Sequence, residues 1–473
     1  MQTQLKLFLF SVIVFSSFIV QNVIARDITL DSAITIAINS NKDIKIATLE
    51  LDRARSAVKE AYGYAYPTLD FTAQFSHFLQ KPMMAFPDFY SLLTNAAYGI
   101  LFKEKLLPED KSKYLPVQDI LQSFTLANSY STTVQLQQIL FSSAVFQGIS
   151  SAGVYEQLAR ESLISKISTT VLNTKKAFYG TLLSQEILKI TKESFENAQK
   201  NFDNVKALQK QGMVAEFDAL RAEVQVENIR PTVYQMESNL ETAKNNLKLV
   251  LGLDQSEEIN LEGELKYEDK QLLSEDEYIK LALDNNFDLQ TMKYSRNFNN
   301  ALIDLDVANY YPTIAAFGNY SFQGTADNLN FQNYRQSMIG LNFSINLFNG
   351  FRTSRIVEQD KIAVMKTDES ISQYKDFITA QIKSKLTEIK KIQANIEAQN
   401  RNIDLAQRAY DISQLRYKEG TGNQLEIENS DLALRQAKTN RLQTVYQYIS
   451  TIDEINNLTG NLDKKYFKIK VEN

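Results

Sequence analysis

The sequence contains no cysteine, no tryptophan and a single histidine, His77, and it has only 15 glycines and 7 prolines among 473 residues. Without cysteine there is no disulfide, no thiolate nucleophile, no cysteine-ligated metal and no lipid-modified N-terminal cysteine. Because glycine and proline mark turns, their scarcity predicts long uninterrupted elements joined by few turns. These absences exclude disulfide-stabilised and thiol-dependent proteins.

The polar and charged residues form no recognisable catalytic constellation, so we expect no enzyme activity, no cofactor and no metal. The net charge of −5 gives no reason to expect a nucleic-acid partner. The segment Gly420–Leu425, GTGNQL, superficially suggests a nucleotide loop, but it lacks a third glycine and follows a predicted helix instead of a strand. His77 falls in a predicted strand, where a wall residue is a simpler interpretation than a ligand.

Residues 1–25 have the features of a secretory signal peptide. Lys6 supplies a positive start, the apolar stretch LFLFSVIVFSSFIV follows, and Val23–Ala25 precedes a plausible cleavage site before Arg26. A membrane anchor is the alternative, although the run is short and polar residues follow at once. No later run approaches the roughly 18 apolar residues that a membrane helix needs. We therefore expect an exported chain without membrane-spanning helices.

The chain contains an internal repeat. Tyr-Pro-Thr occurs twice, with Pro67 and Pro312 separated by 245 residues. Other segments recur 207 or 208 residues apart: Leu140–Phe141 with Leu347–Phe348, and Ala198–Gly212 with Ala406–Gly420. These offsets predict a tandem duplication, with a first repeat over residues 26–260 and a second over residues 261–473.

Each repeat has the same predicted order: two helices, two strands and a long helical hairpin. The proline ends the second helix, because proline cannot continue it. The predicted strands are about 68–80, 124–141, 313–323 and 336–348; the hairpins are about 144–250 and 350–458; the tip turns are about 209–216 and 418–423. Pro231 is expected to interrupt and kink the returning helix of the first hairpin.

The predicted strands alternate apolar residues with uncharged polar ones. In the last strand, Ile339, Leu341 and Phe343, followed by Ile345 and Leu347, alternate with Asn342, Ser344 and Asn346. Residues 120–155 and 336–351 carry no charge in a chain that is 23 % charged. A soluble sheet with one solvent-exposed face is the alternative, but solvent-exposed faces normally carry Lys and Glu. The pattern favours strands with lipid on one side and a polar lumen on the other.

The number of strands bears on the assembly. Four strands cannot close a barrel that leaves a channel, and open edges are not tolerated in lipid. Two chains would give eight strands around a filled interior, whereas three give twelve around a lumen. The expected fold class combines α and membrane β structure: a trimeric twelve-stranded outer-membrane barrel that continues into a long periplasmic helical coiled-coil barrel. A soluble or fibrous coiled coil is the alternative for the hairpins.

The signal peptide, the repeat, the YPTL and YPTI junctions and the turns GMVAEFDALRAEV and GTGNQLEIENSDLAL together resemble the TolC-like outer-membrane efflux proteins, over roughly residues 28–462. The resemblance implies a homotrimeric channel-tunnel in the outer membrane, with a large periplasmic part. Its implied partners are outer-membrane lipid, a periplasmic adaptor and an inner-membrane pump, either proton-driven or an ATP-binding cassette transporter. Small molecules and proteins both remain possible cargo. A periplasmic adaptor or coiled-coil scaffold is the competing interpretation.

The tip turns carry the candidate gate. Asp218 lies six residues after Gly212, and Glu426 lies six residues after Gly420. Three chains would therefore bring six carboxylates near one level, with Asn429 one helical turn beyond Glu426. The alternative is that both carboxylates only favour the positive ends of their helices.

In the resembled family, acidic residues near these positions narrow the entrance and favour cations, and Tyr417 matches a tyrosine that helps to hold the tips closed. The second acidic position of the family's inner helix is Asn429 here, and the place of a gate arginine is Gly422. Residues 79–118 have no counterpart in the second repeat, and we expect them to form a long extracellular loop that assembly does not require.

Overall fold

A computed structural model describes residues 26–461 and Tyr466; the predicted signal peptide lies outside these residues. The strands are β1 (Arg26–Ile28), β2 (Thr68–His77), β3 (Met84–Pro87), β4 (Asp119–Gln122), β5 (Asn128–Ser142), β6 (Ile259–Leu261), β7 (Thr313–Ala326) and β8 (Gln332–Ser344). The helices are α1 (Leu30–Ser40), α2 (Lys42–Gly63), α3 (Phe89–Lys103), α4 (Ser143–Lys210), α5 (Glu216–Leu251), α6 (Glu275–Asn285), α7 (Phe287–Val307), α8 (Arg352–Lys418) and α9 (Gln424–Leu458).

The chain divides into two compact units. The strand unit comprises residues 58–150 and 303–358, and the helical unit comprises the other described residues. None of the helices within residues 26–461 is both long enough and apolar enough to cross a membrane.

The strand unit is built on one antiparallel sheet with the order β2-β5-β7-β8. Each long strand alternates its side chains between the two faces, as the period-two pattern predicts. Within the described chain, β2 and β8 each pair with a neighbour on one side only. Their outer backbone groups therefore form two edges that another strand could pair with.

The strand register repeats at the spacing of the sequence repeat. Thr68 lies opposite Gln137 in the β2–β5 pair, and Thr313 lies opposite Ser344 in the β7–β8 pair. Thr313 follows Thr68 by 245 residues, and Ser344 follows Gln137 by 207 residues. The two hairpins are thus equivalent in register as well as similar in sequence.

The segment between β2 and β5 is folded, which the expectation of a loop did not anticipate. β3 and β4 pair as an antiparallel two-stranded sheet, and α3 lies between them in the chain. The Asp88 carboxylate caps α3 by accepting a hydrogen bond from the Tyr90 backbone N–H at 3.0 Å. Lys81 forms an ion pair with Asp327 of the β7–β8 turn, which ties this insertion to the sheet.

The ends of the four long strands differ by a few residues from the predicted ends. The second long strand begins at Asn128 instead of about 124, because Asp119–Gln122 pairs with β3. The fourth spans Gln332–Ser344 instead of about 336–348, so Ile345 and Leu347 lie beyond its end. The first ends at His77 and the third extends to Ala326, a few residues from their predicted ends.

The helical unit buries apolar stripes that recur every three to four residues, as long packed helices require. In α8 the buried residues include Ile378, Ile382 and Ile389, which share a cluster with Val445 and Tyr448 of α9. A second cluster packs α4 against α1 and α2, with Leu163, Ile167, Val171, Ile38 and Leu51. α5 runs through Pro231 as one helix, contrary to the predicted interruption.

Candidate functional site

The sheet has one apolar face. Directly opposed residues of an antiparallel pair point to the same side, so the register assigns every side chain to a face. The apolar residues of this face are Leu69, Phe71, Ala73 and Phe75 of β2, Tyr130, Val134 and Leu136 of β5, Ile314, Ala316, Gly318, Tyr320 and Phe322 of β7, and Ile339, Leu341 and Phe343 of β8. The polar residues on this face are Thr132 and Gln138 and, towards the β7–β8 turn, His77, Asn128, Asn333, Arg335 and Ser337. On β8, Ile339, Leu341 and Phe343 are 90 %, 72 % and 63 % exposed.

The other face of the sheet is polar and almost uncharged. Its polar residues include Thr68, Asp70, Thr72, Gln74 and Ser76 of β2, Ser131, Thr133, Gln135 and Gln137 of β5, Thr313, Asn319, Ser321 and Gln323 of β7, and Gln336, Asn342 and Ser344 of β8. Phe317, Tyr334 and Met338 lie on the same face. Asp70 is its one acidic or basic residue within these four strands. Hydroxyls and amides can hold water without fixing an ion, which suits the wall of an aqueous passage.

Aromatic residues lie at both ends of the sheet. Near the β7–β8 turn, the Tyr130 ring packs on Phe322 and on Phe331, with centroids 5.8 Å and 5.0 Å apart. At the opposite end, exposed tyrosines precede β2 and β7, including Tyr64, Tyr66, Tyr310 and Tyr311. Two aromatic bands that bracket an apolar band are typical of membrane strands.

The predicted junction prolines stand where helix gives way to strand. Pro67 directly precedes β2, and Pro312 directly precedes β7. The Gln138 side chain donates a hydrogen bond to the Ala65 carbonyl at 2.9 Å, which fixes the first junction to β5. His77 Nδ1–H donates a hydrogen bond to Asn128 Oδ1 on the neighbouring strand at 2.7 Å.

The first hairpin turns at Gly212, whose φ of +72° is one that glycine adopts readily. α5 then starts without a side-chain cap at Ala215, and Glu216 and Asp218 supply acidic residues in its first turn. Asp218 therefore faces the positive end of the helix, which is the alternative role that the sequence left open.

The second hairpin turns at Gly420, with φ +72°. A Cβ on Gly422 would lie 3.0 Å from the Arg416 Cβ, so a larger residue is crowded at this place. Asn423 caps α9 by accepting a hydrogen bond from the Glu426 backbone N–H at 3.1 Å. Glu426 also forms an ion pair with Arg416 at 3.0 Å, which the sequence did not predict. Asn429 is exposed one turn further on.

Tyr417 lies where the two hairpin ends meet inside the helical unit. It packs against the cluster of Val205, Ala219 and Ala222 from the first hairpin and also against the cluster around Tyr410 from the second. Burial, followed by the nearby Asp218 carboxylate, raises the pKa of Tyr417. Its hydroxyl is buried with no hydrogen-bond partner among the described residues.

A polar seam joins α4 and α5 of the first hairpin to α9 of the second. The contacts are Ser168 with Asn457, Lys175 with Asp453, Lys176 with Glu454, Ser194 with Asp431, and Arg221 with Glu428. The Lys175–Asp453 pair spans 2.7 Å and is largely buried. As residue numbers rise along α4, those of its partners fall along α9, so these two helices run antiparallel. The Arg221–Glu428 contact lies near the starts of both α5 and α9.

Within residues 26–461, no three His, Asp or Glu side chains converge on a position that could hold a metal ion. The profile of the outer membrane efflux protein family matches residues 123–253 and 278–461, well over half of the chain. The chain belongs to the outer membrane efflux protein family.

Individual members of the outer membrane efflux protein family resemble the chain over most of its length. It is 22 % identical to the outer membrane protein TolC of Salmonella enteritidis over 380 residues, which is 76 % of each chain. It is 20 % identical to TolC of Escherichia coli (strain K12) over 382 residues, 76 % of this chain and 77 % of that protein.

Solved structures of efflux channels share the fold. The Campylobacter jejuni CmeC outer membrane channel aligns with a TM-score of 0.70 at 15 % identity, covering 94 % of this chain and 89 % of that one. CusC aligns with a TM-score of 0.67 at 17 % identity, covering 91 % and 92 %. The open state of the Neisseria gonorrhoeae MtrE outer membrane channel gives 0.63 at 14 % identity, covering 91 % and 88 %.

Membership in the outer membrane efflux protein family confirms the TolC-like resemblance. It assigns the chain to transport instead of enzymatic catalysis, and to the outer membrane with a large periplasmic part. The polar seam was missed from the sequence, because its partners are more than 200 residues apart and no local pattern links them.

Asp431 offers a test of the seam. Burial raises the pKa of Asp431, and this outweighs the hydrogen bond from Ser194 and the charges of Arg435 and Lys438, which lower it. A raised carboxyl pKa means that the folded state binds the proton more tightly, so the ionised form costs stability at high pH. That cost disappears as the pH falls through the folded pKa to below the unfolded one.

We therefore expect Asp431→Asn, which keeps an acceptor for Ser194, to melt above the wild type at mildly alkaline pH. In acid, below the ordinary carboxyl pKa, the two melting temperatures should converge. The exposed Asp404 supplies the control. Asp404→Asn should melt at nearly the same temperature as the wild type at every pH. A destabilised Asp431→Asn variant at alkaline pH would show that the seam needs the charge.

Proposed function

We propose that three copies of the chain form one closed twelve-stranded barrel in the outer membrane, through which an efflux or type I secretion system exports its cargo. The observation that carries this proposal is the two-faced sheet with two open edges. Every backbone polar group must find a partner inside lipid, so a sheet that crosses the membrane has to close. Four strands enclose no channel, whereas twelve leave a lumen.

The repeated register indicates which edges meet. β5 is followed in the sheet by β7, and the equivalent strands in the repeat are β8 and β2. If β8 of one copy pairs with β2 of the next as β5 pairs with β7, then Asn342 lies opposite Gln74 of the neighbouring copy, by analogy with Gln135 opposite Asn319. Both are polar-face residues, so this register keeps the two faces of the sheet continuous across the junction.

Recurring contacts in the helical unit support the tandem duplication into residues 26–260 and 261–473. The Asn41 side chain donates a hydrogen bond to the Val250 carbonyl at 2.8 Å, and Asn286 donates one to the Leu458 carbonyl at 3.1 Å. Both asparagines directly follow a short helix, α1 or α6. An equivalent asparagine side-chain hydrogen bond thus holds each short helix to the end of its hairpin.

In this proposal the hairpins form the periplasmic conduit, which receives cargo from an adaptor and an inner-membrane pump. The pump, proton-driven or an ATP-binding cassette, selects small toxic molecules or proteins, and the duct carries what it is given. Purified protein in planar bilayers should give discrete single channels, and its native mass should be that of three chains. Monomers that yield no conductance would contradict the proposal.

The hairpin ends form the entrance to this duct, with Asp218, Tyr417, Glu426 and Asn429 as gate residues. The contact of Tyr417 with both hairpins and the closeness of Asp218 to it support a role in holding the ends together. Arg416 neutralises part of the Glu426 charge, so the ring of carboxylates is weaker than the sequence suggested.

Two substitutions of opposite sign test the gate. Glu426→Gln should lower the cation-to-anion permeability ratio by roughly twofold or more, and Asn429→Asp should raise it, because each changes the negative charge of the entrance. The measurement is the reversal potential of single channels under a salt gradient. If Glu426→Gln lowers the melting temperature and neither variant shifts the reversal potential, Glu426 serves only to stabilise the start of α9.

A further inference from the structure

Helix α3 presents an apolar face that no other part of residues 26–461 covers. Tyr90, Leu93 and Ile100 lie on this face and are 71 %, 68 % and 62 % exposed. Between Pro82 and Phe102 the one charged residue is Asp88, which is used as the helix cap. The exposed side of a helix in water normally carries charge, so this face requires another explanation.

The opposite face of α3 is already occupied, which fixes the orientation of the helix. Asn95 donates a hydrogen bond to the Leu115 carbonyl at 2.8 Å and accepts one from the Leu115 N–H at 2.7 Å. Phe102 packs edge-on against Tyr114, with ring centroids 5.9 Å apart. The exposed apolar face is therefore an outward surface of a helix that is packed on its other side.

The insertion exposes other apolar side chains besides those of α3. Met83, Leu106 and Leu121 are 64 %, 69 % and 70 % exposed. Leu79, which continues the alternation of Phe75 just beyond the end of β2, is 96 % exposed. The apolar character of the sheet thus continues along the chain into the insertion, and exposed apolar surface of this kind is typical of membrane or protein contact.

The insertion sits at one end of the sheet. It leaves β2 at His77, and the ion pair of Lys81 with Asp327 holds it to the β7–β8 turn. Charged residues of both signs resume at the end of the helix, with Lys103 as its last residue and Glu104 directly after it. An exposed apolar helix face at the end of membrane strands, with charged residues directly beyond it, fits a helix that lies in the membrane interface.

We propose that the exposed face of α3 lies in the outer leaflet of the membrane, with Leu93 and Ile100 among the acyl chains. This inference rests on the proposed barrel. At 15 residues the helix is roughly 22 Å long, too short to cross a hydrocarbon core of about 30 Å, so it lies along the surface. The insertion then anchors the barrel rim in lipid, a role that the expected extracellular loop did not include.

The absence of cysteine from the chain makes site-specific labelling direct. Single cysteines replace Leu93, Ile100, Glu109, Leu341 or Asn342 in the full chain, and each carries a small fluorophore. The proteins are reconstituted in vesicles of phosphatidylcholine and phosphatidylglycerol with brominated acyl chains, and iodide serves as the aqueous quencher. Labels at 93 and 100 should be quenched by bromolipid and shielded from iodide, like the label at 341. Those at 109 and 342 should show the reverse.

The reference positions separate failure of this inference from failure of the barrel. If 341 is quenched by lipid while 93 and 100 are quenched by iodide, α3 lies in water and the inference is overturned. If 93 and 100 are shielded from both quenchers and Leu93→Cys cross-links two copies, the face is covered by a second chain, which also overturns it. If 341 is not quenched by lipid, the barrel itself fails, and the inference fails with it.

Discussion

Replacing Leu341 with arginine is expected to destabilise the membrane-inserted protein by about 2–4 kcal/mol, the cost of a lipid-facing charge near the bilayer midplane. Leu341 lies on the apolar face of the edge strand β8 and is 72 % exposed in the single chain. No acidic residue on that face can pair with the new charge, because the one acidic residue of the four strands, Asp70, lies on the other face. The measurement is denaturant unfolding of protein refolded into lipid vesicles.

The matched control is the next residue of the same strand. Asn342→Arg places the same side chain on the polar face, where water can solvate it, and should change the free energy of unfolding by less than about 1 kcal/mol. Equal losses at 341 and 342 would mean that both faces meet the same environment, which is incompatible with a membrane barrel.

Gly460→Ala is expected to lower the free energy of unfolding of the helical unit by on the order of 3–5 kcal/mol. Gly460 has φ +63°, and a Cβ there would lie 2.2 Å from the Asn285 carbonyl oxygen. Gly252 repeats this geometry, with φ +72° and a Cβ 2.4 Å from the Ser40 oxygen. Backbone atoms cannot rotate aside as side chains do, so the substitution both strains φ and separates packed elements.

Gly212→Ala is the control, because it measures the cost of a positive φ without a close contact. Gly212 shares the φ of +72°, but a Cβ there meets nothing within 4 Å. Gly212→Ala should therefore lower the free energy of unfolding by only about 1–2 kcal/mol, roughly the cost of a left-handed conformation. Thermal unfolding in detergent compares the variants. A Gly460→Ala variant as stable as Gly212→Ala would mean that the close approach of Gly460 to Asn285 does not hold α6 in place.

Much of the architecture could be predicted from patterns of neighbouring residues in the sequence. The alternation at Ile339, Leu341 and Phe343 gave the faces of β8 correctly, because strand geometry places every second side chain on the same side. The scarcity of glycine and proline indicated helices such as α4 and α8, which run without a break for 68 and 67 residues. Both inferences rest on periodicity, which the sequence carries directly.

Contacts between distant segments were not accessible in this way. The helix within the insertion has no counterpart in the second repeat, and its uncharged stretch does not distinguish a buried strand from a packed helix. The ion pair of Arg416 with Glu426 depends on how the Gly420 turn closes, and that of Arg221 with Glu428 depends on how the two hairpins pack. Such pairings are set by tertiary geometry, not by spacing along the chain.

Closure of the barrel across copies can be measured directly in the cysteine-free chain. With Gln74→Cys and Asn342→Cys in one chain, a short bis-maleimide should link each copy to the next, giving a covalent three-chain species on denaturing gels and nothing larger. The pair Asp70→Cys and Asn342→Cys, on the same face but four residues out of register, should link poorly. No linkage at 74 and 342, or an open ladder of ever-larger species, would contradict the closed trimer.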